Sequence, residues 1–267
     1  MISPTEVARR AHHLGMGDRV IEKDYVLSWL LVAIAESELR SGLAFKGGTA
    51  LKRCYYSEYR FSEDLDFTLC VDLSHDNLVS AFETLLPRLG QRVNLTLTLR
   101  SAEQSIFEST TLLVNYVGPL RARLGSRHWK VDVTRGELLL YLPSERLPQA
   151  PYSDYPTGVT LPTYALEEIL TEKLCALMGR TEPRDLYDVY WLFEWSDVDL
   201  EFLPANFAAK CRHKGQDPNR LNKVLTGKAE TLDRLWASRL AVQVSDLPHL
   251  NEVWRAVRRH LRGLGLI

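Results

Sequence analysis

No Cys-x-x-Cys pair occurs in this chain, and its four cysteines, Cys54, Cys70, Cys175 and Cys211, are scattered. That spacing argues against a zinc site and against a secreted disulfide framework, so a reducing cytoplasm is the expected setting. No Gly-x-x-x-x-Gly-Lys-Ser/Thr loop is present, which argues against P-loop chemistry. Neither the His-Arg-Asp plus Asp-Phe-Gly set of kinases nor a Gly-x-Ser-x-Gly nucleophile elbow is found. The first residues, Met1 to Glu6, hold no apolar signal core. The greasiest run, Tyr25 to Ala35, is far shorter than a membrane span and has charges on both sides. It is expected as a buried helix, with no membrane partner. There is no internal repeat and no low-complexity tract.

What is there is ordinary globular composition. The 267 residues are 45% hydrophobic and 25% charged, with a formal net charge of -1. This is enough chain for two modest domains or one large one. The near-neutral total does not mark a dedicated nucleic-acid binder, although a local patch would suffice for one.

Periodicity predicts one long helix from about Thr5 to Glu38, a short strand at Leu43–Phe45, and a short helix from Thr49 to Tyr56. A strand follows at Phe61–Leu69, then a helix from Asp72 to Leu89. Val93 to Arg100 alternates as a half-buried strand, and Thr111–Val117 and His128–Val133 are further strands. Pro143 to Pro162, rich in proline and tyrosine, reads as a connecting loop. Beyond it Leu166, Ile169, Leu170, Leu174 and Leu177, then Leu186, Val189, Tyr190 and Phe193, recur at helical spacing. Helices with breaks at Gly215 and Pro248 complete the chain. Mixed elements followed by helices predict an α+β fold. The expected lobes are 1–150, carrying the sheet, and 151–267, helical and completing the active-site cleft.

The chemistry centres on Phe45-Lys46-Gly47-Gly48-Thr49-Ala50-Leu51-Lys52 and Arg60-Phe61-Ser62-Glu63-Asp64-Leu65-Asp66-Phe67. Strand side chains alternate faces, so Asp64 and Asp66 point the same way and Leu65 and Phe67 the other. Two same-facing carboxylates repel unless a cation lies between them. Glycines let backbone N–H groups approach phosphate oxygens, and a helix start adds partial positive charge. The combination suits a magnesium ion and a triphosphate. Asp132, in Lys130-Val131-Asp132-Val133-Thr134, is either a third metal ligand or a polar residue on a solvated strand face. Lys173 lies within an apolar helical pattern. It either reaches a triphosphate as a point charge or snorkels to water. In Arg180-Thr181-Glu182-Pro183-Arg184-Asp185-Leu186-Tyr187-Asp188, Thr181 is a candidate cap and Arg184 and Asp188 could form a surface pair. Alternatively Asp185 lies near the metals or orients Lys173, with Arg180 or Arg184 facing phosphate. Basic residues from Lys210 to Arg262 form either a nucleic-acid groove or solvated helix faces. His12 and His13 are expected at the surface.

Together with Ile21-Glu22-Lys23-Asp24-Tyr25, Glu172-Lys173-Leu174-Cys175-Ala176-Leu177 and Arg184-Asp185-Leu186-Tyr187-Asp188, these motifs resemble the AbiEii family of nucleotidyltransferase-like toxins. The resemblance implies a DNA polymerase β-like nucleotidyltransferase lobe with a mixed sheet, followed by a mostly helical lobe. It implies a toxin of a type IV toxin–antitoxin system, with NTP as substrate, Mg2+ or Mn2+ as cofactor, a tRNA 3′ end as acceptor and a cognate antitoxin encoded nearby. Carried over, Asp64 and Asp66 match the metal-binding acids, and Gly47 and Gly48 the phosphate loop. Gly48 replaces a common serine, so nucleotide positioning is expected to rely on Thr49 and backbone N–H groups. Lys173 matches a nucleotide-contacting lysine and Asp185 the acid of an Arg-Asp motif whose arginine is Arg184. Two rival functions are transfer to a protein side chain and a catalytically silent RNA- or nucleotide-binding module.

Overall fold

The structure is a computed structural model describing residues 1–106 and 109–267. It divides into two compact units, Met1–Glu137 with Pro143–Tyr164, and Leu138–Leu142 with Ala165–Ile267. Among the described residues, no helix is long and apolar enough to cross a membrane.

The first unit opens with α1 (Pro4–Leu14) and α2 (Asp18–Ala35) in place of the single helix expected. The interruption is local. Gly15 adopts φ 63 and its N–H caps the carbonyls of Ala11 and His12, a conformation that ends a helix cheaply only at glycine. From Ile21 onward α2 is buried nearly all round, as its apolar run requires.

A seven-stranded mixed sheet follows, in the order β3-β4-β5-β2-β1-β7-β6. Its strands are β1 (Leu43–Lys46), β2 (Asp64–Leu69), β3 (Thr96–Gln104), β4 (Thr110–Val117), β5 (His128–Thr134), β6 (Ser144–Arg146) and β7 (Leu161–Thr163). β6 and all but the last residue of β7 fall within the stretch read as a loop. Three-residue strands are too short to leave an alternating pattern. Between β1 and β2 lies α3 (Gly47–Ala50), continued by a π turn over Leu51–Tyr55. It starts two residues before the expected helix, because glycine at its first position accepts the turn out of β1. Helix α4 (His75–Val93) is capped by the Ser74 hydroxyl and closed by Asn94 at φ 56. The strand expected from Val93 therefore begins only at Thr96.

The β2–β5 pairing is parallel, whereas β1–β2 and β4–β5 are antiparallel. Leu65, Phe67, Val131, Val133, Leu112 and Val114 are all 0% exposed and form one face of the sheet's core. The acids occupy the other face.

The second unit is helical: α5 (Leu166–Gly179), α6 (Pro183–Trp195), α7 (Leu203–His213), α8 (Leu221–Leu240) and α9 (Leu250–Gly263). Pro183 stands at the start of α6, where a missing N–H costs nothing. The cap is Glu182, without a side-chain hydrogen bond, rather than Thr181. Lys210 is fully buried against Glu168, so it belongs to the core of this unit and not to a basic groove. Arg258 donates to Asn222 of α8 and Arg259 to Glu194 of α6, so part of the C-terminal basic run ties helices together.

Candidate active site

Strand register sets two rows across the acid face. In one, Lys46 of β1 stands opposite Asp66, Asp66 opposite Asp132 of β5, and Asp132 opposite Thr111 of β4. In the other, Asp64 stands opposite Lys130. Asp64, Asp66 and Asp132 thus share one face, all half-buried. Asp132 accepts from the Thr111 hydroxyl at 2.7 Å and pairs with Lys130 at 2.5 Å. Burial works to lower the Lys130 pKa, but the hydrogen bond and charge of Asp132, helped by Asp64 and Asp66, hold it above the ordinary lysine value. Lys130 is therefore a cation that tempers this negative face.

The glycine turn closes onto the same acids. Gly47 has φ 78, and a Cβ there would lie 2.5 Å from Oδ2 of Asp66. Only glycine allows the main chain this close to the carboxylate. A Cβ on Gly48 would lie 2.6 Å from Nη2 of Arg60, so the guanidinium fills the place a larger residue would take. Thr49 is buried, and its hydroxyl donates to the Asp64 carbonyl at 2.5 Å, locking the start of α3 to β2. We expect Gly47→Ala to lower stability by about 1–3 kcal/mol through left-handed strain and crowding. Displacing Asp66 should cut nucleotide transfer by roughly 100-fold. Urea unfolding and a transfer assay check this, and near-wild-type transfer would disprove it.

The Ile21–Tyr25 motif frames the turn. Asp24, 6% exposed, pairs with Arg53 on the π turn at 2.6 Å and accepts from the Tyr152 hydroxyl at 2.5 Å. Glu22, fully buried, accepts from the Leu120 N–H at 2.7 Å and pairs with Arg127 in the β4–β5 connection. Lys23 pairs with Glu63, the neighbour of Asp64, at 3.0 Å. Three successive side chains of α2 thus anchor three loops around the acids.

In the second unit Lys173 is the centre of a buried ion cluster, not a snorkelling side chain. Its ammonium lies 2.9 Å from Asp185 and 2.8 Å from Asp188, and both aspartates are 0% exposed. Arg180 forks onto Asp185 at 2.7 and 3.0 Å. Burial works to raise the Asp185 pKa, but Lys173 and Arg180 outweigh it and hold the carboxyl below the usual range. Asp188 pairs with Lys173 and is buried. Arg184 lies half-buried on the first turn of α6.

The donor set suits a hard divalent cation. Among the described residues, no group of three or more His, Cys, Asp or Glu is arranged to hold a metal. Magnesium, however, is commonly held by one or two carboxylates plus substrate phosphates. Asp64 and Asp66, on one strand face with the Gly47 main chain against Asp66, offer that arrangement.

A family model described as the nucleotidyl transferase AbiEii toxin of type IV toxin–antitoxin systems matches residues 29–260. The chain belongs to the AbiEii family. It is accordingly a nucleotidyltransferase and a toxin of that class, working on an NTP with a divalent metal ion and implying a cognate antitoxin. Its fold is similar to that of MenT4, a nucleotidyltransferase toxin from Mycobacterium tuberculosis, with a TM-score of 0.70 at 18% identity over 99% of this chain and 90% of that one. JHP933 from Helicobacter pylori has a TM-score of 0.55 at 18% identity, over 93% of each chain. At such identity these likenesses speak for the fold. No curated protein matches the chain in sequence.

The AbiEii match begins after the Ile21–Tyr25 motif, whose anchoring role comes from geometry alone. Lys130, Lys46 and Arg60 are the site's neighbours that sequence reasoning left without a role. Each was in a quoted motif, but nothing local to it indicates a carboxylate or glycine across the sheet.

Proposed function

We propose that this AbiEii toxin transfers a nucleoside monophosphate from an NTP to the 3′ end of a tRNA, releasing pyrophosphate and so blocking aminoacylation and growth. The observation that carries the reading is the Gly47 main chain lying against Asp66, with Asp64 on the same strand face. Asp64 and Asp66 are the residues that would hold Mg2+. Once bound, such an ion lowers the pKa of an attacking hydroxyl and neutralises charge on the phosphate. Gly47 and Gly48 are assigned to the triphosphate through their backbone N–H groups, Arg60 adds positive charge beside Gly48, and Thr49 keeps the turn in place. Asp132 has its carboxylate bound by Thr111 and Lys130. It holds Lys130 beside the two acids, and Asp64 and Asp66 are assigned as the metal pair. In the second unit Lys173 and Arg184 are assigned to the nucleotide, with Asp185 orienting Lys173. Free thiols at all four cysteines suit a reducing cytoplasm.

The test is incubation of pure protein with total cellular RNA and each α-labelled NTP in turn, with Mg2+ or Mn2+ and with chelator. The expected result is label at tRNA 3′ ends, lost with chelator, with sequencing giving the added base. Label following protein would replace the tRNA acceptor by a protein side chain. NTP binding without turnover in either metal would reduce the protein to a silent binding module.

A further inference from the structure

At the N-terminal ends of β2 and β5 the first unit holds a cavity of about 610 Å3. This is within the range of roughly 300–1,000 Å3 typical of small-ligand pockets. Arg19 and Lys23 of α2, Arg127 and His128 at the start of β5, and the hydroxyl-bearing Ser62 and Ser126 line it. Its two lining acids are already engaged, Asp24 by Arg53 and Glu63 by Lys23. Arg127 is pinned from beneath by the buried Glu22. Arg19 is exposed and, among the described residues, has no carboxylate partner. The two guanidiniums are close enough to interact: burial and then the charge of Arg19 both lower the Arg127 pKa. Lys23 and Arg127 are balanced by Glu63 and Glu22, so the cavity's uncompensated charge is that of Arg19, and a cation at a concave site with polar donors beside it favours an anion.

We propose that this cavity seats a backbone phosphate of the acceptor strand, a single-stranded polyribonucleotide end, with Arg19 as its principal contact. The assignment rests on the transferase reading above. Strand order favours the acceptor over the donor triphosphate. β2, carrying Asp64 and Asp66, lies between β1, which leads into the Gly47 turn, and β5, which begins at the cavity. In phosphoryl transfer the attacking and leaving oxygens lie roughly in line. A donor triphosphate on the glycine side therefore calls for an acceptor on the β5 side.

The experiment is fluorescence anisotropy of a labelled single-stranded oligoribonucleotide, titrated at increasing KCl, with a non-hydrolysable NTP analogue titrated in parallel. Arg19→Ala and Arg19→Glu are the variants, since Arg19 is exposed, whereas replacing Arg127 would strand a buried glutamate. Losing one phosphate contact should weaken RNA binding roughly fivefold at moderate salt and reduce the log–log salt slope by about 0.7. Arg19→Glu should weaken it further, and analogue affinity should not change. Unchanged RNA affinity in both variants, absence of RNA binding by the wild type, or a parallel fall in analogue affinity would each overturn the proposal. RNA binding of the expected kind without any nucleotide transfer to RNA would sink the transferase reading while leaving the phosphate site standing. Transfer to RNA with Arg19-independent binding would remove the site alone.

Discussion

Asp66→Asn should abolish nucleotide transfer, by about 1,000-fold or more, while leaving the protein about as stable as the wild type. A bound metal contributes several kcal/mol of transition-state charge stabilisation, and each 1.36 kcal/mol is a factor of ten in rate. Asp66 is half-buried and stands between Lys46 of β1 and Asp132 of β5, with Asp64 on the same face. Like charges directly opposite on a sheet are destabilising and opposite charges stabilising, so the two neighbours offset one another. Removing the charge should leave Tm within about 1–3 °C of the wild type. Asp64→Asn should be equally inactive but slightly less stable, because Asp64 stands opposite Lys130. The pair of variants therefore separates catalysis from folding. If Asp66→Asn keeps a tenth of the wild-type rate, the acid row is not the catalytic centre.

Lys173→Met should destabilise the protein by about 3–5 kcal/mol, the usual cost of breaking a buried ion pair from one side. Asp185 and Asp188 are both 0% exposed, and their common cation would be gone. Arg180, with its side chain 53% exposed, would still serve Asp185 at the cluster's edge. Urea unfolding measures the penalty, and a loss below about 1 kcal/mol would show that the cluster is not sealed from water. Adding Asp185→Asn and Asp188→Asn to Lys173→Met should recover much of the loss, since neutral polar groups carry no such charge penalty. Activity of that triple variant then decides the role of Lys173. Restored stability without transfer assigns its ammonium to the nucleotide, and restored transfer leaves it a structural cation only.

Much of the chemistry was legible because it is local. The Asp64-Leu65-Asp66-Phe67 alternation placed two acids on one face and two core residues on the other, as the structure has them. The helical spacings from Leu166 and Leu186 found α5 and α6. Where reading failed, a short-range feature overrode the pattern or a long-range partner was needed. Gly15 broke a helix whose periodicity ran on, and Asn94 ended α4 inside a stretch that already alternated like a strand. Strands β6 and β7, three residues each, were too brief to register. Lys210 has the look of a surface lysine in sequence, and its burial depends on pairing with the carboxylate of Glu168, far away in the chain.

The sequence by itself determined the family, the carboxylate pair and the glycine turn, because strand alternation and the left-handed freedom of glycine are properties of a few consecutive residues. Only the tertiary structure decided which charges meet. Parallel pairing of β2 with β5 set Asp132 beside Asp66 and Lys130 beside Asp64, and the packing of α5 on α6 enclosed Lys173 between two aspartates. The physical reason is that the strength of a charge depends on its distance to other charges and on its exclusion from water, and both are fixed by contacts between segments remote in the chain.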